Sequence, residues 1–192
     1  MKLDQIYSRI WHCLVTAADD SQCPFNAMQA ATVGVDGAPN VRTVALRRVI
    51  EAENLIVFHT DLRSPKVAEL TSEPRIALVG TDAEHRLQIR LFGEARIVSE
   101  EPTRVEAWNS SSDHDLVQYR TLLAPGTPLS RPDDAFGEKH EIPGPDEGLK
   151  HFCVVEVRPH TIDWLDLSAA DRPERARFVR DGDTWTQSWV AP

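Results

Sequence analysis

The residues of this chain with the clearest chemical potential are cations at positions where a cation is otherwise unfavourable. In Ser64-Pro65-Lys66, serine is a favoured helix N-cap and proline a favoured first helical residue, so a helix is predicted to begin there. Lys66 then occupies the first turn, where the helix dipole is positive. Free amides of that turn, the Ser64 hydroxyl and the Lys66 ammonium together form an anion site. The alternative interpretation is a Lys66 side chain that points into water.

Three arginines, Arg42, Arg47 and Arg48, interrupt an apolar strand pattern upstream of this helix. Arginine on a half-buried strand usually needs a partner, commonly a carboxylate or a phosphate bound bidentately. An edge strand with solvated arginines is the alternative. Two basic segments one strand apart, in a chain of net charge −9, favour a specific phosphate pocket over a general basic field.

Arg42 and Arg47 face opposite sides of a regular strand, because side chains alternate between its faces. Either a bulge brings both to one side, or only one of them contacts the ligand. Gln88, Trp164 and Arg177 also lie within predicted strands. Taken singly they have ordinary explanations, Trp164 as a core residue and the other two as surface residues.

The chain lacks the sequence motifs of dinucleotide, P-loop, serine-hydrolase and zinc-protease sites. Its seven histidines are scattered, and Cys13, Cys23 and Cys153 contain no Cys-x-x-Cys pair. We therefore predict no metal site and no nucleophile supplied by the protein. Three cysteines without a disulfide pattern suit a reducing cytoplasm.

Length and composition predict a single cytoplasmic domain over residues 1–192. The 21.5 kDa chain is 41% apolar, which is enough for a sizeable core. Its 21 basic residues against 30 acidic ones argue against a nucleic-acid partner. We see no signal peptide and no apolar run of about 18 residues, so no membrane association is predicted.

The elements expected to position these residues are mainly strands. An apolar stripe at helical spacing, from Leu3 to Leu14, predicts an N-terminal helix within residues 1–17. Period-two alternation predicts about eight short strands, which together suggest a small antiparallel barrel with flanking helices. Residues 124–148, rich in proline and glycine, predict a long surface loop. The predicted strands are 30–35, 41–49, 55–59, 75–79, 86–92 continuing to 94–98, 152–157, 161–167, 176–180 and 184–190, and the predicted internal helices are 65–71, 99–109 and 113–123.

A family pattern links these separate signals. Its blocks are Arg42-Thr43-Val44-Ala45-Leu46-Arg47, Phe58-His59-Thr60, Ser64-Pro65-Lys66, Glu73-Pro74-Arg75-Ile76-Ala77-Leu78, Arg86-Leu87-Gln88-Ile89-Arg90-Leu91-Phe92-Gly93-Glu94-Ala95, Trp164-Leu165-Asp166-Leu167-Ser168 and Arg177-Phe178. In their order and spacing, from about Ala30 to Pro192, they resemble the pyridoxamine 5'-phosphate oxidase-like flavoproteins, the FMN-binding split barrels. The likeness is to the oxidase-related branch rather than to the vitamin enzyme itself.

This resemblance implies a mainly β, antiparallel FMN-binding split β-barrel that forms a homodimer with FMN at the subunit interface. Arg42 and Lys66, with Ser64 nearby, would hold the FMN phosphate, and Arg47 is left to the flavin edge or the substrate. The other implied FMN contacts are the strand backbone at Thr43, Val44, Ala45 and Leu46 and at His59 and Thr60, the side chain of Gln88, Trp164 and Arg177 of the other subunit, and a weaker match at Gly126-Thr127.

Departures from the family pattern fall mainly on the substrate side. Pro65 stands where the vitamin enzyme has a phosphate-binding arginine, and residues 108–115 offer two aspartates and no arginine. The family's Arg-x-His substrate pair falls on Pro173-Glu174-Arg175 and is lost. Because an acidic site repels a phosphorylated substrate, we predict weak or absent oxidation of pyridoxamine 5'-phosphate and an uncharged or cationic substrate.

The leading hypothesis from the sequence is an FMN-dependent oxidoreductase whose substrate and electron acceptor are unassigned. In such an enzyme the flavin carries out the redox step and the protein positions it. One alternative is a flavin-binding carrier or sensor without catalysis. The other is a split-barrel enzyme that uses a deazaflavin or haem, for which His59 is the nearest ligand.

Overall fold

The computed structural model describes residues 1–98, 100–136 and 147–192. Strands dominate this part of the chain, as predicted. The strands are β1 (Ala27–Val33), β2 (Pro39–Ile50), β3 (Leu55–Asp61), β4 (Arg75–Asp82), β5 (Leu87–Val98), β6 (Phe152–Asp166), β7 (Glu174–Asp181) and β8 (Thr184–Trp189). The α-helices are α1 (Leu3–Asp19), α2 (Pro65–Ser72), α3 (Glu101–Asn109) and α4 (Asp113–Leu116), and short 3-10 helices lie at Glu51–Glu53, Val117–Arg120, Pro132–Ala135 and Leu149–His151.

Six of the strands close into an antiparallel barrel in the order β3-β2-β1-β4-β5-β6, with β6 paired back onto β3. The 15-residue strand β6 takes part in two structures. Its first half, Phe152–Val157, lies between β3 and β5, whereas its second half, Thr161–Asp166, leaves β3 and pairs with β7. The hairpin β7–β8 therefore extends from a barrel that splits along β6, which confirms the predicted split barrel.

A bulge between β5 and β6 lies where each of these strands was predicted as two separate segments. The register between β5 and β6 shifts at Phe92/Gly93, and Gly93 lies opposite Pro159. A side chain at Gly93 would collide with the backbone carbonyl of Arg158, so only glycine fits. Proline cannot donate to a strand ladder, and the bulge places it where the ladder is already interrupted. Strands β5 and β6 thus each continue past the position at which the sequence predicted one segment to end and the next to begin.

Helix α1 covers one face of the barrel with the predicted apolar stripe, and it extends to Asp19. Ile6, Ile10, Trp11 and Leu14 are fully buried in the main core. A second core cluster lies under α3 and α4 and is built around Trp108, Tyr119 and Phe152. Because helices cover only part of the barrel, its remaining outer face carries both polar and apolar side chains.

The predicted helix over 113–123 is wrong in its second half. Helix α4 ends at Leu116, and the chain continues as the 3-10 helix Val117–Arg120. With three residues per turn, Leu116 and Tyr119 face the same buried side. Part of the predicted loop 124–148, residues 137–146, lies outside the described residues, as does Ser99. In the described part of the chain, no helix is long and apolar enough to cross a membrane.

Candidate functional site

Lys66 lies where the end of β3 meets the start of α2. Helix α2 begins at Pro65 with Ser64 as its N-cap residue, as predicted. The Ser64 side chain does not cap the helix, however, and its Oγ instead accepts a hydrogen bond from Lys66 Nζ at 2.8 Å. Thr60 Oγ1, at the end of β3, accepts a second bond from Lys66 Nζ at 2.8 Å. The ammonium is therefore held over the turn between strand and helix.

Among the described residues, no ion pair joins Lys66 to a carboxylate. Burial lowers the pKa of Lys66, nearby Arg42 lowers it further, and Asp61 and Glu69 oppose this shift. A half-buried cation whose hydrogen-bond partners are hydroxyls is short of a counter-charge. The site is therefore suited to an anion.

Backbone amides contribute less to this anion site than the sequence suggested. Pro65 has no N–H, and the Val67 N–H already donates to the Ser64 carbonyl at 3.0 Å. Side chains of Lys66, Thr60 and Ser64 therefore carry the site, and the dipole of the eight-residue helix α2 adds to them.

Arg42, on β2, belongs to the same electrostatic neighbourhood but has a carboxylate partner. Its Nη2 donates to Glu69 Oε2 at 2.7 Å, and its Nη1 donates to Thr32 Oγ1. Glu69, on α2, is buried and also accepts from Thr32 Oγ1 and from Asn40 Nδ2. Burial raises the pKa of Glu69, but hydrogen bonds from Thr32 and the charge of Arg42 outweigh it and lower the pKa below its ordinary value. Arg42 is thus partly neutralised within the protein.

Arg47 lies at a bulge in β2. Leu46 pairs with Phe58 and Arg48 with Val57, which leaves Arg47 as the extra residue of a bulge. Arg42 and Arg47 nevertheless pair with different carboxylates, Glu69 and Asp115. The segment before the bulge alternates as expected, with Val44 and Leu46 buried in the core, Ala45 half-buried and Thr43 exposed.

The guanidinium of Arg47 forms a bidentate ion pair with Asp115 of α4. Nη2 donates to Oδ1 at 2.6 Å and Nη1 donates to Oδ2 at 3.1 Å. Asp115 Oδ2 also accepts from Ser112 Oγ at 2.8 Å. Burial raises the pKa of Asp115, but bonds from Arg47 and Ser112 lower it overall, so the carboxylate stays ionised at neutral pH. This pair joins β2 to the segment that departs from the family pattern.

His59, on β3, lies beside the Arg47 pair. Its ring meets Phe152 edge-on, with centroids 4.7 Å apart. Burial and the charge of Arg47 lower the pKa of His59 to about 4 against a weaker opposing effect of Asp115, so the imidazole is neutral at pH 7. A cavity of about 260 Å³ adjoins His59 and Arg47 and extends under α3 to Glu106. It offers space for a small molecule beside these groups.

Gln88 and Arg177 lie on a different surface, the outer face of β5–β7 that α1 leaves uncovered. Gln88 pairs with Leu165 in the sheet, and Arg177 pairs with Asp163. No contact among the described residues joins either side chain to Lys66. Gly126 and Thr127 are likewise separate, in a turn where the Thr127 hydroxyl donates to the Ala124 carbonyl.

Trp164 lies in the main core. Its side chain is 1% exposed and packs with Phe178 and Ala176 of its own protomer. The contact of Trp164 with FMN of a second subunit stays a prediction. Alternation explains the placement, because Ile162 and Trp164 share the inner face of β6 while Asp163 points outward.

Sequence reasoning missed the cluster around Asp163. This carboxylate is 1% exposed and accepts hydrogen bonds from Arg90 at 3.0 Å, Arg175 at 2.9 Å and Arg177 at 3.0 Å. Burial raises the pKa of Asp163, but the three guanidiniums lower it overall. A lone aspartate between Ile162 and Trp164 was the available signal, since a charge inside a buried strand requires partners.

Comparison with known proteins places these observations in a family. Residues 8–99 match the family model described as "Pyridoxamine 5'-phosphate oxidase, FMN-binding domain". A pyridoxine/pyridoxamine 5'-phosphate oxidase of Thermosynechococcus vestitus is 31% identical over 196 residues, covering 96% of this chain and 86% of the relative. An Agrobacterium fabrum protein of the same name is 32% identical over 181 residues, covering 87% of this chain and 82% of the relative.

Solved structures agree with the sequence relatives. The chain superposes on a pyridoxamine 5'-phosphate oxidase-related, FMN-binding protein of Nostoc punctiforme with a TM-score of 0.81 and 26% identity, over 100% of both chains. It also superposes on PhzG of Burkholderia lata with a TM-score of 0.76, over 97% of this chain and 92% of that chain. At 21% identity, the second likeness supports the fold alone.

Proposed function

Because this chain belongs to the pyridoxamine 5'-phosphate oxidase family and its cofactor is FMN, we propose that it is an FMN-dependent oxidoreductase with an altered substrate site. The observation that carries the proposal is the Lys66 ammonium, which is half-buried and bonded to the hydroxyls of Thr60 and Ser64. A phosphate monoester has the charge and the acceptor oxygens that this group needs.

The residues around Lys66 fit the phosphate end of FMN. Lys66 would donate to a phosphate oxygen, and the hydroxyls of Thr60 and Ser64 can rotate to donate as well. Arg42 would face the same phosphate from β2, with Glu69 holding its guanidinium in a fixed orientation. The fit is good, because these groups supply positive charge and rotatable donors at one turn of the chain.

The flavin ring would lie along β2 and β3, beside Thr43–Leu46 and His59. Bound FMN supplies hydride and electron transfer, and the side chains supply binding and orientation. His59 is neutral at pH 7 and is a weak base, since its pKa is lowered to about 4. Its role is therefore to fill space and accept or donate a hydrogen bond rather than to remove a proton.

A homodimer in the cytoplasm completes the proposal. Gln88 and Arg177 lie on the outer sheet face, away from Lys66 of the same protomer, so a second subunit would have to bring them to the flavin. The same face has exposed apolar groups, including Val41 and Val179. Apolar surface left open on a sheet face is suited to a protein partner.

The substrate differs from pyridoxamine 5'-phosphate in this proposal. The guanidinium of Arg47 is already bound on both nitrogens by Asp115, so it has no free fork for a substrate phosphate. A small molecule without a phosphate, neutral or cationic, suits the site better.

Two measurements test the proposed function. Purified protein, alone and after addition of FMN, is first examined for the absorbance spectrum of bound flavin. The loaded protein is then mixed with amine donors, NADH, NADPH and pyridoxamine 5'-phosphate, and flavin bleaching is followed without oxygen. Bleaching by at least one donor, with pyridoxamine 5'-phosphate among the slowest, is expected. A protein that takes up no FMN contradicts the proposal, and bound flavin that no donor reduces would identify a carrier or sensor instead.

A further inference from the structure

Asp115 occupies the position that an anionic ligand would take on Arg47. Its two carboxylate oxygens meet two guanidinium nitrogens at 2.6 and 3.1 Å, the bidentate geometry in which arginine also binds phosphate or a ligand carboxylate. The side chains of Arg47 and Asp115 are 29% and 31% exposed, so the pair borders solvent and the neighbouring cavity. The protein thus supplies a carboxylate of its own, that of Asp115, to the solvent-accessible guanidinium of Arg47.

Asp115 lies on the short helix α4, which is anchored independently of the Asp115 carboxylate. Helix α4 has four residues, and its first turn is closed by Ser112, whose Oγ bonds both the backbone and the carboxylate of Asp115. Leu116, the next residue, is buried in the second core cluster and anchors this helix. Loss of the carboxylate alone would therefore leave the apolar anchor of α4 in place.

Charges around the cavity beside Arg47 reinforce this arrangement. Glu106 and Glu156 line the cavity together with Arg47 and Arg48, and the imidazole of His59 is neutral. Glu156 is paired with Arg96 at 3.2 Å, so the carboxylates and guanidiniums are equal in number once Asp115 and Arg96 are included. A ligand phosphate or carboxylate entering here would have to displace Asp115 and would also meet the carboxylate of Glu106.

We propose that Asp115 is a specificity-determining residue, whose carboxylate fills the fork of Arg47 and excludes substrates that carry a phosphate or carboxylate at that end. This inference rests on the proposed function, because it concerns the substrate side of the same FMN site. It goes further in naming the residue responsible and in predicting that one substitution reverses the preference. The cavity then takes neutral or cationic molecules because its cation is already neutralised.

The test measures inorganic phosphate binding to the FMN-loaded protein by calorimetry, with ionic strength held constant by chloride. Bound FMN keeps phosphate away from Lys66. Asp115→Asn preserves shape and removes the charge, and we expect phosphate affinity to rise by about tenfold or more. Asp113→Asn is the matched control, since Asp113 lies in the same helix, is 90% exposed and bonds Arg120 instead of Arg47. This control should bind phosphate as weakly as the wild type.

A gain that is equal in both variants would overturn the proposal, because it would reflect net charge alone. Equal affinity of Asp115→Asn and the wild type would overturn it as well. Adding Arg47→Gln to Asp115→Asn should abolish the gain, and a gain that persists would place the phosphate elsewhere. If Asp115→Asn does not fold, Asp115→Ser is measured against the same criteria.

Turnover supplies the second readout. Asp115→Asn should reduce its flavin faster with pyridoxamine 5'-phosphate than the wild type does, mainly through a lower KM, whereas reduction by unphosphorylated pyridoxamine should not become faster. Failure of the proposed function gives a different result. In that case no donor reduces the flavin, but Asp115→Asn can still bind inorganic phosphate more tightly than the wild type does.

Discussion

Two cations in this barrel, Lys66 and Arg47, have similar burial but opposite partners. Lys66 meets two hydroxyls, and Arg47 meets a carboxylate that bonds it on both nitrogens. An anion approaching Lys66 needs only to reorient hydroxyl groups, whereas an anion approaching Arg47 must break an ion pair. The comparison shows that the partner of a cation, more than its residue type or burial, decides whether it is available to a ligand.

Arg42 lies between these two cases. It has the buried carboxylate of Glu69 as a partner, but it also lowers the pKa of Lys66 and so contributes charge to the same pocket. Glu69 in turn is held by Thr32 and Asn40, so removal of Arg42 would not leave its carboxylate without donors. Within the described part of the chain, the pocket therefore has one cation without a carboxylate partner, Lys66, and one that is partly neutralised, Arg42.

The largest effect is expected from replacing Lys66 by methionine, and the same replacement of Arg47 is its matched comparison. Lys66→Met should weaken FMN binding by about 10²–10³-fold, because a charge-assisted bond to the phosphate is lost in a half-buried site. Arg47→Met should change FMN affinity by no more than about threefold, since its charge is spent on Asp115. Fluorescence titration of FMN measures both. An equal loss in the two variants would remove the distinction between the two cations.

An intermediate effect is expected from Glu69→Gln, which converts Arg42 from a paired to a free cation. Glutamine offers one acceptor where the carboxylate offered two, so unfolding should become easier by about 2 kcal/mol. FMN affinity should nevertheless rise by about tenfold, as Arg42 becomes available to the phosphate. Urea denaturation and FMN titration measure the two changes. Unchanged FMN affinity would show that Arg42 does not face the phosphate.

The pH dependence of stability provides a control for Glu69→Gln. Since the folded-state pKa of Glu69 is lowered, its contribution to stability is present above the unfolded pKa of about 4.3 and is lost as the pH falls through the folded value. The wild type should therefore lose stability below about pH 4.3 more steeply than the variant does.

The smallest effect is expected on the pH dependence of stability, through His59, whose pKa is lowered by burial and by the charge of nearby Arg47. Its pKa is about 4 in the folded state and about 6.5 when unfolded, so only the unfolded chain takes up the proton between these values. Stability should fall by about 1–2 kcal/mol between pH 7 and pH 5, and His59→Gln should reduce that fall. Urea denaturation at the two pH values measures it, and identical losses in both proteins would contradict the assignment.

Much of the fold was predictable because its signals are local. The Asp36-Gly37 turn, with Gly37 at a φ of 83°, and the start of α2 at Pro65 follow from preferences of single residues. The number and short spacing of the predicted strands suggested an antiparallel barrel, and the family resemblance implied its split form. The pairing of Ile56 with Val157 joins distant parts of the chain, and alternation alone does not specify which strands meet.

The candidate site was less predictable, because pairing of charges depends on residues far apart in sequence. Glu69 has the spacing of an ordinary helix residue, yet Thr32, Asn40 and Arg42 bury and bind it. Asp115 and Arg47 are 68 positions apart. Net acidity of segment 108–115 predicted a changed substrate side, but the sequence could not show that Asp115 forms an ion pair with Arg47.

Strand β6 has a mechanical consequence beyond its place in the sheet. Its first half completes the barrel beside His59, and its second half carries Asp163 and the hairpin β7–β8. Strand β5 pairs with both halves of β6, on either side of the bulge at Gly93 and Pro159, so the hairpin cannot peel away without loosening the barrel half that carries Phe152. Amide hydrogen exchange along this strand should accordingly proceed as one cooperative opening, shared by barrel and hairpin alike.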